Sequence, residues 1–175
     1  MNYFEFYGIP VSFVVDKGSL KREFYANSKK YHPDYFTLES EAKQAEVLEL
    51  STLNNQAYKT LSDFDRRMKY ILDLKGAMEE EGKNTLPQDF LMEMMDINES
   101  LMELESGFDQ EVYDKVRADL KVLEDDLLDE VKPLIAEYDA QKGDSESILE
   151  GVKNFYLKKR YLLRIKENLS TFAPL

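Results

Sequence analysis

The chain of 175 residues is 43% apolar and 12% aromatic, enough for packed cores, and it carries no cysteine and a net charge of −12. Lacking cysteine, it can form neither disulfides nor thiolate metal sites, and it cannot itself hold an iron–sulfur cluster in the usual thiolate manner. The acidity argues against nucleic acid and anionic membranes as partners.

The opening Asn2-Tyr3-Phe4-Glu5 lacks the positive start and apolar core of a secretory signal. No apolar run reaches the roughly 18 residues that a membrane span requires, so a cytoplasmic protein is expected. A short first helix, Asn2 to Tyr7, should stop at Gly8 with Pro10 just beyond. Asp16 reads as the N-cap of a second helix that runs to about Tyr31, because Pro33 biases His32 out of the helical region. A third helix is expected over Glu41 to Leu61, with Ala45, Leu48, Leu53, Ala57 and Leu61 at helix-like spacing. Ser62, with Asp65 three residues on, resembles a capping box that opens a fourth helix to Leu74.

Residues 76–85 hold Gly76, Gly82 and three successive glutamates without periodicity, which reads as a linker. Pro87 suits the first turn of a fifth helix that ends at Gly107. A sixth helix spans about Gln110 to Gln141, with Pro133 expected to kink or divide it. Asp144 should cap a last helix reaching about Leu169. No strand alternation, phosphate loop or repeat is present, so the fold class is all-α.

Charge divides the chain as well. Residues 1–75 carry 11 basic and 11 acidic side chains, whereas residues 86–175 carry 11 and 21. A neutral front part joined to an acidic rear part implies two domains, 1–75 and 86–175, the second a three-helix bundle.

His32-Pro33-Asp34 contains the only histidine and falls between two helices. Taken alone, the tripeptide could be no more than a helix stop and a turn. On the preceding helix Lys21, Tyr25, Ser28 and Lys29 share one face leading to His32, while Leu20, Phe24 and Tyr31 form a more apolar face suited to the third helix. Such a stripe is most simply a solvated helix face, yet a loop tethered between packed helices is also a rigid mount for a recognition group.

Here the sequence resembles the J-domain family. The resemblance covers residues 1–75 and rests on Asn2-Tyr3-Phe4 with Gly8-Ile9-Pro10, on Tyr31-His32-Pro33-Asp34, and on the run from Leu53 to Leu61. It implies that Lys21, Tyr25, Lys29, His32, Pro33 and Asp34 dock on a DnaK/HscA-type ATPase chaperone and stimulate its ATP hydrolysis. It also implies that the chain has no catalytic residues, metal or cofactor of its own. Two departures stand out: Tyr35 follows the tripeptide where Lys or Arg is usual, and Phe64 opens the fourth helix where Pro is usual.

In the rear part, Phe90, Met94, Ile97 and Leu101 can serve a bundle core. Leu91, Met92 and Met95 then lie on an adjacent face with Asp96, Glu99 and Glu103. These apolar residues either complete the core or form an adaptable patch with an acidic rim, a common form for partner binding. The stretch Phe90-Leu91-Met92-Glu93, the linker position, Arg67 with Tyr70-Ile71-Leu72, and Arg160-Tyr161-Leu162 resemble the HscB family of J-domain co-chaperones. That resemblance implies a role in iron–sulfur cluster assembly, with an IscU-type scaffold bound by Leu91, Met92, Met95, Asp96, Glu99, Glu103 and Tyr161. Asp96 stands where Glu is more usual.

The alternative within this class is a general co-chaperone whose rear domain binds a different client. An enzyme using His32 and Asp34 is poorly supported, since there is no second imidazole or thiolate and no nucleophile paired with a base.

Overall fold

The computed structural model describes residues 1–80, 82–141 and 145–172, and every regular element among them is helical. The chain divides into two compact units, Met1–Lys75 and Gly76–Leu175.

The first unit starts with α1 (Tyr3–Tyr7), held at both ends by local chemistry. Asn2 Oδ1 accepts from the Glu5 N–H at 2.9 Å while Glu5 Oε2 accepts from the Asn2 N–H at 2.9 Å, a reciprocal box that satisfies two otherwise orphaned donors. Gly8 ends the helix at φ 64°, a left-handed conformation that costs glycine little. Helix α2 (Lys17–Lys30) opens at Asp16, whose carboxylate accepts from the Ser19 hydroxyl and the Gly18 N–H. Those bonds, the Ser19 hydroxyl foremost, hold the Asp16 carboxyl below its ordinary value. A one-turn 3-10 helix over Pro33–Phe36 leads to α3 (Glu41–Leu61) and α4 (Phe64–Leu74).

Three local expectations are corrected here. The cap of α4 is Asp63, not Ser62: the Asp63 side chain accepts from the Arg66 N–H at 2.9 Å. Ser62 keeps helical angles, and its N–H still bonds the Tyr58 carbonyl, so it belongs to the end of α3. The buried stripe of α3 runs through Val47, Asn54, Ala57 and Leu61, while Ala45 and Leu48 are exposed, Leu48 at 58%. Both lie at least 100° around the helix from Val47. Ser28 is turned into the unit rather than along the outer face of α2, because its hydroxyl accepts from Asn54 Nδ2 at 3.0 Å. Of the apolar face of α2, Leu20 is buried and Phe24 stacks on Tyr58 of α3 with centroids 4.2 Å apart, whereas Tyr31 rests against Phe6 of α1.

Two buried polar side chains tie the first unit together. Asn54 accepts from the Tyr7 hydroxyl at 2.8 Å and donates to the Phe24 carbonyl at 3.1 Å, linking α1, α2 and α3. Arg67, 4% exposed, donates from Nε to the Phe13 carbonyl at 2.9 Å and also bonds the Leu61 carbonyl. Its guanidinium lies 5.7 Å from the Phe64 ring centroid, so the residue that replaces the usual proline packs on a buried cation.

The second unit holds α5 (Gln88–Ser106), α6 (Gln110–Asp139) and α7 (Ser145–Ser170). Pro87 stands immediately before α5, and Asp109 caps α6 by accepting from the Glu111 and Val112 N–H groups. Helix α6 is not divided at Pro133. The ring sits on the exposed side, and buried Val131 and Ile135 on either side of it anchor both halves to the core. Helices α6 and α7 run antiparallel, with Lys166 Nζ on Glu124 at 2.9 Å and Gly151 against Leu134. A Cβ at Gly151 would stand 2.6 Å from Leu134 Cδ1, so the Leu134 side chain occupies the space that a larger residue there would need. The expected stop at Gly143 and cap at Asp144 lie outside the described residues.

Candidate functional site

Two exposed surfaces collect the side chains singled out from sequence, one on each unit. On the first, α2 presents Lys21, Tyr25 and Lys29 to solvent, with Lys21 Nζ 6.0 Å from the Tyr25 ring centroid. The helix ends beside His32, whose backbone is extended (φ −75°, ψ 121°), as a residue before proline must be. His32 Nδ1 accepts from the Asp34 N–H at 3.3 Å, so the imidazole caps the 3-10 turn that Pro33 starts. The side chains of His32 and Asp34 remain 51% and 83% exposed. The Tyr35 ring, at the position where Lys or Arg is usual in the family the sequence resembles, lies 5.4 Å from the imidazole. A shallow cleft lined by Pro33, Asp34, Thr37, Ala45 and Leu48 borders the turn on the α3 side. The geometry suits recognition of a partner surface, with a carboxylate held out on a turn braced by two helices. Among the described residues, no group of three or more metal-capable side chains comes together.

On the second unit, α5 is buried along Phe90, Met94, Ile97, Leu101 and Leu104. Its other side leaves Leu91, Met92, Met95 and Met102 exposed at 42%, 64%, 65% and 67%. The core is therefore complete without them, and the choice left open by the sequence resolves in favour of an exposed apolar patch. Asp96, Glu99 and Glu103 are exposed on the same side. Tyr161, half-buried on α7, sits edge-on to Phe90 (centroids 5.7 Å apart, 80° between planes), and its hydroxyl accepts from Asn98 Nδ2 at 2.9 Å. Thus α7 packs beside α5 and brings Tyr161 to the border of the patch, although more than 60 residues separate the two in sequence.

Sequence reading missed Met102, Lys158 and Arg164. Met102 lies within about 20° of Leu91 around α5, a position that helical spacing alone could have given. Lys158 Nζ is 5.5 Å from the Phe90 ring centroid and Arg164 Cζ is 5.8 Å from that of Tyr161. The first contact crosses from α7 to α5 and had no local signal, whereas the second joins residues three apart on α7, a spacing the sequence does show.

The first unit is a helical hairpin with an exposed His-Pro-Asp turn between its helices, the arrangement expected of a J domain from the resemblance in sequence. A family model described as the HSCB C-terminal oligomerisation domain matches residues 86–170. The co-chaperone protein HscB homolog of Chromobacterium violaceum is 30% identical over 129 residues, which is 72% of this chain and 74% of that protein. The HscB homolog of Vibrio cholerae is 38% identical over 112 residues, and the match spans 63% of this chain and 66% of that relative's length. Among solved structures, chaperone HscB from Vibrio cholerae superposes with a TM-score of 0.62 at 27% identity, covering 98% of this chain and 96% of its own. The human co-chaperone protein HscB does so with a TM-score of 0.72 at 26% identity, covering 98% and 81%. The chain belongs to the HscB co-chaperone family.

Proposed function

We propose that the chain is an adaptor in iron–sulfur cluster assembly, one that carries an IscU-type scaffold protein to a DnaK/HscA-type ATPase chaperone and stimulates that chaperone's ATP hydrolysis. Residues 1–75 act as the J domain, 76–85 as the linker and 86–175 as the scaffold-binding domain. Lys21, Tyr25, Lys29, His32, Pro33 and Asp34 contact the chaperone. Leu91, Met92, Met95, Asp96, Glu99, Glu103 and Tyr161 contact the scaffold.

The observation that carries the reading is the exposed apolar face of α5, whose side chains the core of the second unit does not use. Contiguous apolar surface rimmed by charge is a common form of protein docking site. The adaptor needs no chemistry of its own: joining cargo and trigger in one chain raises the effective concentration of cargo at the chaperone.

A binding titration against purified IscU-type scaffold tests this. Cutting Leu91, Met92, Met95 and Tyr161 together to Ala should cost at least about 3 kcal/mol, roughly 100-fold in affinity, because apolar and aromatic anchors dominate such interfaces. Circular dichroism should stay that of the parent, since truncation is expensive chiefly where it opens a buried cavity. Parent-like affinity in the quadruple variant would refute the docking assignment and leave a J-type co-chaperone with a different client.

A further inference from the structure

The apolar patch has a second rim, opposite in sign to the first. Taking about 100° per residue around α5 from Leu91, Met102 and Met95 lie about 20° and 40° to one side, followed by Glu99, Met92, Glu103 and Asp96 between about 80° and 140°. Asn98 lies about 20° to the other side, and there it donates to the Tyr161 hydroxyl of α7. On α7 the two cations flank Tyr161, about 60° to either side of it: Lys158 lies over the Phe90 ring and borders the groove between α6 and α7, and Arg164 lies over the Tyr161 ring. From Arg164 across the Tyr161 ring to α5, one meets a cation, an aromatic ring, an apolar strip and then carboxylates with Met92 among them.

These cations differ from several lysines of the same unit and share their arrangement with Arg160, whose guanidinium lies 5.8 Å from the Tyr156 ring centroid. In a region with 21 acidic and 11 basic side chains, several lysines find carboxylates: Lys121 with Asp125, Lys132 with Asp129, Lys153 with Glu150 and Lys166 with Glu124. Lys158 and Arg164 form no ion pair among the described residues and lie instead against the rings at the edge of the patch. An aromatic face attracts a cation but leaves much of its charge available to a further partner.

The geometry points to a polar docking site for the scaffold protein, in which Lys158 and Arg164 receive carboxylates of the partner while Asp96, Glu99 and Glu103 receive its cations. This deepens the docking assignment above and rests on it. The partner surface that fits is an apolar ridge with basic side chains along one edge and acidic ones along the other. A client placed in reverse would set like charges together on both edges, so the rims select one orientation, and charge arranged in this way also speeds encounter.

The test measures affinity and association rate for purified IscU-type scaffold at low and high salt. The variants are Lys158→Glu with Arg164→Glu, the milder Lys158→Gln with Arg164→Gln, and Glu99→Lys with Glu103→Lys. Each charge-reversal pair should weaken binding at low salt by at least about tenfold, with the glutamine pair in between. The differences should shrink near 1 M salt, where charges are screened within about 3 Å. The glutamine pair keeps the test decisive if the glutamate pair alters the circular dichroism of the second unit. If both α7 variants bind as tightly as the parent, or tighter, while the Leu91, Met92, Met95 and Tyr161 alanine variant loses binding, the second rim is refuted and the docking assignment stands. If that alanine variant also binds like the parent, the docking assignment falls and the inference falls with it.

Discussion

The Tyr161 hydroxyl accepts a 2.9 Å hydrogen bond from Asn98 Nδ2, joining two helices that are far apart in sequence at the border of an exposed methionine-rich face. The tyrosine therefore has two jobs that substitution can separate. Tyr161→Phe removes one hydrogen bond from a half-buried site and should cost about 1 kcal/mol of stability or less, with scaffold binding near that of the parent. Tyr161→Ala also removes the ring from Phe90 and the patch, and should weaken scaffold binding by about 2 kcal/mol. Isothermal titration of both variants checks this; equal losses for Phe and Ala would mean that the hydroxyl, not the ring, makes the contact.

In the first unit, Asn54 is the joint between α1, α2 and α3. Replacing it with Ala removes its bonds to the Tyr7 hydroxyl, the Phe24 carbonyl and the Ser28 hydroxyl. The expected cost is about 2 kcal/mol of stability, since buried polar partners are left unsatisfied. Hydrogen exchange of the α2 and α3 amides in the full chain reads the loss directly. A change below about 0.5 kcal/mol, the range of ordinary surface substitutions, would show that the network does not brace the hairpin.

Alkaline pH should act on the same joint. Burial, first among the causes, pushes the Tyr7 phenol above its ordinary value of 10.0, and burial also raises Tyr70. Below pH 10 these groups are neutral whether the chain is folded or not, and their contribution to stability is fully present. As pH rises past 10 the unfolded chain releases protons that the folded one retains, so stability falls with rising pH. Tyr7→Phe should flatten that decline in the first unit while costing about 1 kcal/mol at neutral pH for the lost hydrogen bond. Urea unfolding between pH 8 and 11 separates the two effects; an equally steep alkaline loss in the variant would assign the decline to other groups.

Much of this architecture was legible from local chemistry. The box at Asn2 and Glu5 begins α1, although sequence reading gave only its stop at Gly8; that stop and the cap at Asp16 are set within a few residues and could be read directly. The buried face of α5 followed from its 3.6-residue period, which put Leu91, Met92 and Met95 on an adjacent face and left open whether they complete the core; their exposure decides against that. What failed was decided elsewhere in the fold. Leu48 looked like a core position by type and spacing, but the stripe that meets α2 and α1 is set by Asn54, a polar residue that no hydrophobic pattern would choose. Ser28 appeared to extend a polar outer stripe and instead answers Asn54. Pro33 was read as a stop, whereas it also starts a 3-10 turn capped by His32. Lys158 escaped notice because a cation over a ring on a neighbouring helix has no signature in its own segment; Arg164 lies three residues from Tyr161 on α7, and its spacing to that ring was not used.

We propose the His32-Pro33-Asp34 turn as a trigger for a partner's ATPase rather than a site of chemistry in this chain. The most direct test is the steady-state ATP hydrolysis rate of a purified DnaK/HscA-type chaperone, measured with the parent protein and with Asp34→Asn or His32→Gln. Both side chains are exposed, so circular dichroism and melting temperature should match the parent. The predicted result is stimulation by the parent that is lost in either variant, with scaffold affinity unchanged. Stimulation that persists at the parent level in variants of native fold would contradict the claim.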